Sequence, residues 1–263
     1  MPQLLINTAL FLGFLMAAIA LFFFVATRGA LLVRELSPGP SSAKAHIYPI
    51  YSNMRLIKLI DYQPLISAIL LFQYHRLVAK ITAGLRQMDL RNRKVLITSC
   101  AFGNVIPEVV KASIRSGAEG ILVADIVQNE LLQAKSKLDD FAGKVDFIEE
   151  DATNMQQPDG VVDVNVMFFL LHELPHHLKL RALDEAARML APGGRLLIAE
   201  FHRPNVAVLR ALSWTYFKVF EPYGLALWDS HDPIDYLEST GAWSCQRTTY
   251  FFGNFQVISA TRL

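Results

Sequence analysis

Between Val161 and Pro204 the chain alternates in a way that few folds accept. VVDVNVMFFLLHELP opens with an apolar run of strand length, a charged amphipathic stretch follows, and LAPGGRLLIAEFHRP carries a Pro-Gly-Gly turn and a second apolar run ending at Glu200. Short apolar runs bounded by turn residues read as buried strands, and the stretch between them reads as a crossover helix. The same alternation extends upstream. Val95–Ile97, Gly120–Ala124, Val145–Ile148, Val162–Phe169 and Arg195–Ala199 are expected strands, with helices over Pro107–Arg115 and Asn129–Phe141. Strands alternating with helices imply an α/β fold whose sheet is mostly parallel and covered on both faces. After Glu200 the pattern changes to helices at Val206–Phe220 and Asp232–Ser239. Trp243–Tyr250 and Phe255–Thr261 then form a hairpin around Gly253-Asn254, so the expected sheet has seven strands and closes antiparallel.

In open α/β sheets ligands bind beyond the carboxyl ends of the strands. That rule singles out His172, Glu173, Glu200 and His202. It also singles out Asp125 after the second strand and Asp151-Ala152 after the third. Asp125 lies 22 residues beyond Gly103, a spacing at which a carboxylate can accept hydrogen bonds from ribose hydroxyls. For both aspartates, capping of the next helix is an equal alternative.

These features in this order resemble class I S-adenosylmethionine-dependent methyltransferases over about residues 90–263. Within that superfamily FFLLHE, EFHRP, the run Glu221-Pro222-Tyr223-Gly224-Leu225-Ala226-Leu227-Trp228 and the closing aromatic-Gly hairpin are similar to rhodoquinone-biosynthesis proteins, a likeness that reaches back to Tyr62–Leu85. The resemblance implies a Rossmann-like fold with S-adenosyl-L-methionine as cofactor. It implies contacts from Ser99, Ala101, Phe102 and Gly103 in the first loop, and from Asp125, Ile126, Asp151, Ala152 and Phe169. The superfamily's first loop ordinarily has an acid and a Gly-x-Gly-x-Gly pattern. Here Ile97, Ser99 and Ala101 stand at those positions and only Gly103 remains, which implies a different loop path or a slightly displaced methionine moiety. The rhodoquinone-type relatives imply transfer of an amino group to a quinone ring with displacement of methoxy. Ordinary relatives imply methyl transfer. A non-catalytic, membrane-tethered relative is the reading that the eroded loop supports.

Residues 1–27 carry no charged side chain. Their apolar core is longer than a secretory signal and long enough to span a bilayer. Arg28, Arg34, Lys44, Arg55 and Lys58 follow it, so the positive-inside rule puts the body in the cytoplasm. The expected organisation is an anchor at 1–33, a linker with amphipathic helices at 34–92 and a catalytic domain at 93–263. The expected location is the inner membrane. Ser37–Ser42 is the linker. Pro64 is expected to start a main helix carrying Leu65, Ile69, Phe72, Leu77, Ile81 and Leu85. Arg76, Lys80 and Arg86 give that helix a basic face able to rest on anionic lipid or on solvent. A formal net charge of +1 gives no field for nucleic acid. Cys100 and Cys245 form neither a metal cluster nor a disulfide framework.

His172 is the expected general base, with Glu173 orienting it or facing a metal; the alternative is a simple helix entry. His172, Glu173, Glu200 and His202 together would suit a divalent transition metal. The aromatics Trp214, Phe217, Tyr223 and Trp228 read either as the wall of an apolar acceptor pocket or as core. With an anchored chain, the acceptor most simply is a lipid-soluble quinone or related lipid.

Overall fold

The computed structural model describes Tyr51, residues 53–100, 102–229 and 232–263, and six isolated positions between 7 and 17. The expected anchor, apart from those six positions, lies outside the described residues, as do the Ser37–Ser42 linker and Ala101. No helix among the described residues is long and apolar enough to cross a membrane.

One seven-stranded sheet organises the body in the order β3-β2-β1-β4-β5-β7-β6. The strands are β1 Lys94–Thr98, β2 Gly120–Asp125, β3 Val145–Glu149, β4 Val162–Phe168, β5 Leu190–Phe201, β6 Trp243–Tyr250 and β7 Phe255–Arg262. β1 to β5 run parallel, while β7 pairs antiparallel with both β5 and β6. Each inner strand is buried on both faces, which is why these runs are continuously apolar. The pleat still sorts them. Val95 and Ile97 join the core beneath helices α3 Tyr74–Arg86 and α4 Val105–Arg115, whereas Leu96 joins the core beneath α6 His176–Met189. Two short helices, α1 Met54–Ile60 and α2 Gln63–Ile69, precede α3, and α5 Gln128–Ser136 follows β2. Beyond β5 come α7 Ala207–Phe220, α8 Ala226–Asp229 and α9 Pro233–Ser239.

The expected alternation holds, and three local expectations change. The main helix expected to start at Pro64 and run to Leu85 is two helices, α2 and α3. Pro64 lies in the first turn of α2, and Leu71 and Phe72 take positive φ (50° and 59°) after it. Their amides bond back to Ala68 and Ser67, closing α2 and turning Phe72 outward. The Pro-Gly-Gly segment lies inside β5, because Leu190 still pairs with Val162 across a register shift. The helix expected over Asn129–Phe141 ends at Ser136, and a separate turn covers Asp139–Phe141.

Candidate active site

The strand order reverses between β1 and β4, and the crevice of such a sheet opens at that switch point. The segments leaving the carboxyl ends of β1 to β5 meet there. Ser99 leaves β1 with φ +78° and its amide donates to Ala124. Cys100 is buried, and its amide donates to Asp125 Oδ2 at 2.6 Å. Asp125 Oδ1 accepts from the Val127 amide at 2.8 Å, so this buried carboxylate ties the β1 and β2 exits together. Burial pushes its pKa up, against the pull of those two amides. Ile126, beside it, is half-buried.

The rest of the first loop is held by the N-terminal helices. The Gly103 amide donates to Asp61 at 2.7 Å, the Asn104 amide to Gln63 at 3.0 Å and the Val105 amide to the Tyr74 hydroxyl at 2.8 Å. Tyr74 donates in turn to Phe102 O. Lys137 bridges Asp61 and Gly103 O. Gly103 has φ +81°, and a Cβ there would stand 2.5 Å from the Tyr74 oxygen. The one glycine kept in this loop therefore serves the close approach of Tyr74 as well as an unusual backbone. Tyr51 stacks on Phe102 with ring centres 6.0 Å apart.

Asp151 accepts from the Thr153 amide and hydroxyl, both at 2.8 Å, as a turn-capping aspartate does. Ala152 packs against the core beneath α6. Phe169 leaves β4 with φ +56°, its amide held by Ala199 O, and its ring meets those of Phe168, His172 and Phe201.

Two acids face this crevice in raised states. Glu130, in the first turn of α5, is buried; burial first, then the charges of Asp125 and Glu173, push its pKa up to about 9. Its Oε1 has no hydrogen-bond partner. Glu173 accepts from the Tyr51 hydroxyl at 2.5 Å, and burial raises it to about 7.

His172 has a different partner from the one expected. Its Nδ1 lies 3.0 Å from Glu200 Oε1, and its Nε2 lies 3.3 Å from Glu221 Oε2. The His172 amide also donates to Glu200, which is fully buried. Burial works against the imidazolium, but Glu200 and Glu221 outweigh it and hold the pKa up at about 9. His172 is thus clasped between the Glu200 and Glu221 side chains, and of the acids at this edge Glu173 is the one whose pKa lies near neutrality. Tyr216 donates to Glu221, and the buried Lys179 donates to Leu174 O and Tyr223 O, pinning the chain after α7 to the β4 exit.

His202 stands apart. Its Nδ1 meets Gly253 O at 2.7 Å and its Nε2 meets Arg247 at 3.2 Å. With Glu173 engaged by Tyr51 and His202 turned to the hairpin, the four expected metal ligands do not converge. Among the described residues no group of three or more His, Cys, Asp or Glu forms a metal site. Of the four aromatics, Phe217 is core between Phe201 and Trp228, Trp214 faces outward, and Tyr223 and Trp228 are half-buried. The Trp228 Nε1 is buried without a partner.

The nucleoside end of S-adenosyl-L-methionine fits this edge. Asp125 ends β2, where a nucleoside hydroxyl could be met, and Glu130 Oε1 beside it is a buried polar atom without a partner. In the first loop, the Gly103 and Asn104 amides are already taken by Asp61 and Gln63. Asp61, Glu130, Lys137 and Glu221 were not singled out from sequence. Glu130 had one legible signal, an acid at an inward position of the helix that follows Asp125; the others depend on contacts between distant segments.

A model of the ubiE/COQ5 methyltransferase family matches residues 58–249. The chain is 33% identical over 166 residues to the ubiquinone/menaquinone biosynthesis C-methyltransferase UbiE of Ectopseudomonas mendocina, covering 62% of this chain and 63% of that protein. The matched part spans between 57% and 65% of the length of three such relatives. An O-methyltransferase family protein of Burkholderia thailandensis superposes with a TM-score of 0.62 at 16% identity, over 81% of this chain and 61% of that one. A putative S-adenosyl-L-methionine-dependent methyltransferase of Methanococcus maripaludis gives 0.53 at 14% identity, over 84% and 96%. At such identities the likeness is one of fold.

Proposed function

Since the chain belongs to the ubiE/COQ5 methyltransferase family, we propose that it is an S-adenosyl-L-methionine-dependent transferase whose acceptor is the ring of a lipid-soluble quinone. One observation carries this reading. Asp125, Glu130 and Glu173 converge at the switch point of the sheet, beside the partly buried rings of Phe169 and Trp228, which pack on the core aromatics Phe201 and Phe217. Half of that crevice suits a nucleoside and half suits a flat apolar ring. When bound, the cofactor supplies an electrophilic carbon on a sulfonium. Asp125 would hold the ribose hydroxyls. Glu173, titrating near neutrality, would take the proton that the acceptor loses. The His172–Glu200–Glu221 clasp would hold the β4 exit and the segment after α7 in register. The unpartnered Trp228 Nε1 would donate to a quinone oxygen.

Amino transfer with loss of methoxy is the second reading. Its support is the rhodoquinone-like run that starts at Glu221, because that residue lies against His172. Anchoring through the uncharged residues 1–27 and a cytoplasmic catalytic body at the inner membrane belong to the same proposal, since they bring the site to its acceptor.

Calorimetric titration with S-adenosyl-L-methionine tests the shared premise. The wild-type chain is expected to bind, and Asp125→Ala to bind more weakly by about 1–3 kcal/mol through loss of paired hydrogen bonds. No heat from a folded wild-type chain would overturn both readings and leave a non-catalytic tethered relative.

A further inference from the structure

The described residues from 51 to 263 expose eleven large apolar side chains, and nine of them lie on three segments at one edge of the molecule. Leu59, Tyr62, Leu71 and Phe72 belong to α1, α2 and the turn into α3. Val206, Val208, Leu212 and Trp214 belong to α7 and its entry, and Phe252 caps the β6–β7 hairpin. Phe72 is 74% exposed, Val208 70%, Phe252 65% and Trp214 49%. The topology places all three segments at the carboxyl edge. The start of α3 bonds to the loop leaving β1 through Tyr74, α7 follows the end of β5, and the hairpin tip precedes Phe255, the partner of Phe201. The Asn205 amide donates to Phe252 O, joining the hairpin tip to the entry of α7.

Two acid-free stretches run through these segments, between Asp61 and Asp89 and between Glu200 and Glu221. Residues 62–88 hold Arg76, Lys80 and Arg86 and no Asp or Glu; residues 201–220 hold Arg203, Arg210 and Lys218 and no Asp or Glu. Lys218 lies over the Trp214 ring, 5.9 Å from its centre, at the limit of about 6 Å for such a pair. Of these cations, Arg76 in the first turn of α3 and Arg203, Arg210 and Lys218 around α7 lie with the apolar side chains, while Arg86 ends α3 beside Asp89 and Arg115, and the acids Asp125, Glu130 and Glu200 of this edge are buried. Exposed aliphatic and aromatic side chains ringed by Lys and Arg, with Trp at the boundary, match the interface of an anionic bilayer.

We propose that the carboxyl edge of the catalytic body itself rests on an anionic lipid surface, with Phe72, Val208, Leu212, Trp214 and Phe252 entering the headgroup layer. The contact is separate from any anchor at the N-terminus. It deepens the quinone reading, because the crevice mouth lies on the same edge and would open toward the phase that holds the acceptor.

Spin labels on the full-length chain read this directly. A nitroxide is placed at Phe72→Cys, Leu212→Cys or Phe252→Cys in a Cys245→Ser background, with Leu132→Cys on the exposed face of α5 as the control. Vesicles of phosphatidylglycerol and phosphatidylcholine in equal parts are then added. The three test labels should lose collisions with a water-soluble nickel reagent several-fold and gain collisions with oxygen, while the control stays unchanged. Test labels that remain as accessible to nickel as the control overturn the proposal. Shielding already present without vesicles also overturns it, by pointing to a second copy of the chain. Equal immersion in phosphatidylcholine alone contradicts the anionic part. The labels report immersion and not turnover, so failure here leaves the transfer chemistry standing. An immersed protein that transfers nothing would sink the transfer reading alone.

Discussion

Glu130 shows how much a single side chain can carry at this site. Its carboxyl is buried beside Asp125 and Glu173, and its pKa of about 9 keeps it neutral at pH 7. In the unfolded chain it would ionise near the usual 4.5. Between those values the folded state binds the extra proton, so stability falls as pH rises through that window. Glu130→Gln removes the penalty and leaves the shape. The variant should be more stable than wild type at pH 8 by an amount on the order of 1–3 kcal/mol. The gap should close below pH 4, where both states of the wild type are protonated. Denaturant unfolding at the two pH values checks this, and a gap that does not change with pH would contradict the burial argument. The residue scale is also where sequence was least informative. Asp125, His172 and Glu173 were legible because each follows a strand. The partners that set their state were not. Glu221 reaches His172 from beyond α7, and Asp61 reaches Gly103 from before α3. Nothing in the spacing of either acid marks such a contact.

At the level of elements, the connection after α7 is the tightest joint in the acceptor half. Gly224 lies so close to Phe217 that a Cβ would come within 2.5 Å of its Cε1. Phe217 cannot retreat, since its ring is wedged between those of Phe201 and Trp228 at 4.9 and 5.7 Å. Gly224→Ala should therefore destabilise by about 1–3 kcal/mol through overpacking. Its effect should fall on the acceptor side: weaker quinone KM with S-adenosyl-L-methionine affinity little changed. A loss confined to cofactor affinity would show that this joint does not border the acceptor. Strands were legible to within a few residues because doubly buried β segments are continuously apolar. Helix ends were less so. The break after α2 is made by Leu71 and Phe72 with positive φ, a conformation that neither residue type advertises. The Pro-Gly-Gly segment looked like a stop but remains in the ladder, because pairing with Val162 outweighs the local turn signal.

For the whole molecule, the strand order brings the strand exits together, and the surface bears on what they could meet. The reversal between β1 and β4 gathers five strand exits into one crevice, which the alternation of strands and helices already implied. The apolar edge around that crevice was legible only in part, as a basic helix able to rest on lipid or on solvent. Its continuation through α7 and the hairpin tip emerges from packing. The central claim is group transfer from S-adenosyl-L-methionine to a quinone ring at this crevice. The most direct test incubates the full-length protein in anionic vesicles with a prenylated quinone, reduced and oxidised in separate runs, and with S-adenosyl-L-methionine, then weighs the quinone. The account predicts a product whose mass shows either a methyl gain or an amino-for-methoxy exchange, formed more slowly by Asp125→Ala when the cofactor is limiting. An unchanged quinone from protein that binds the cofactor would contradict it.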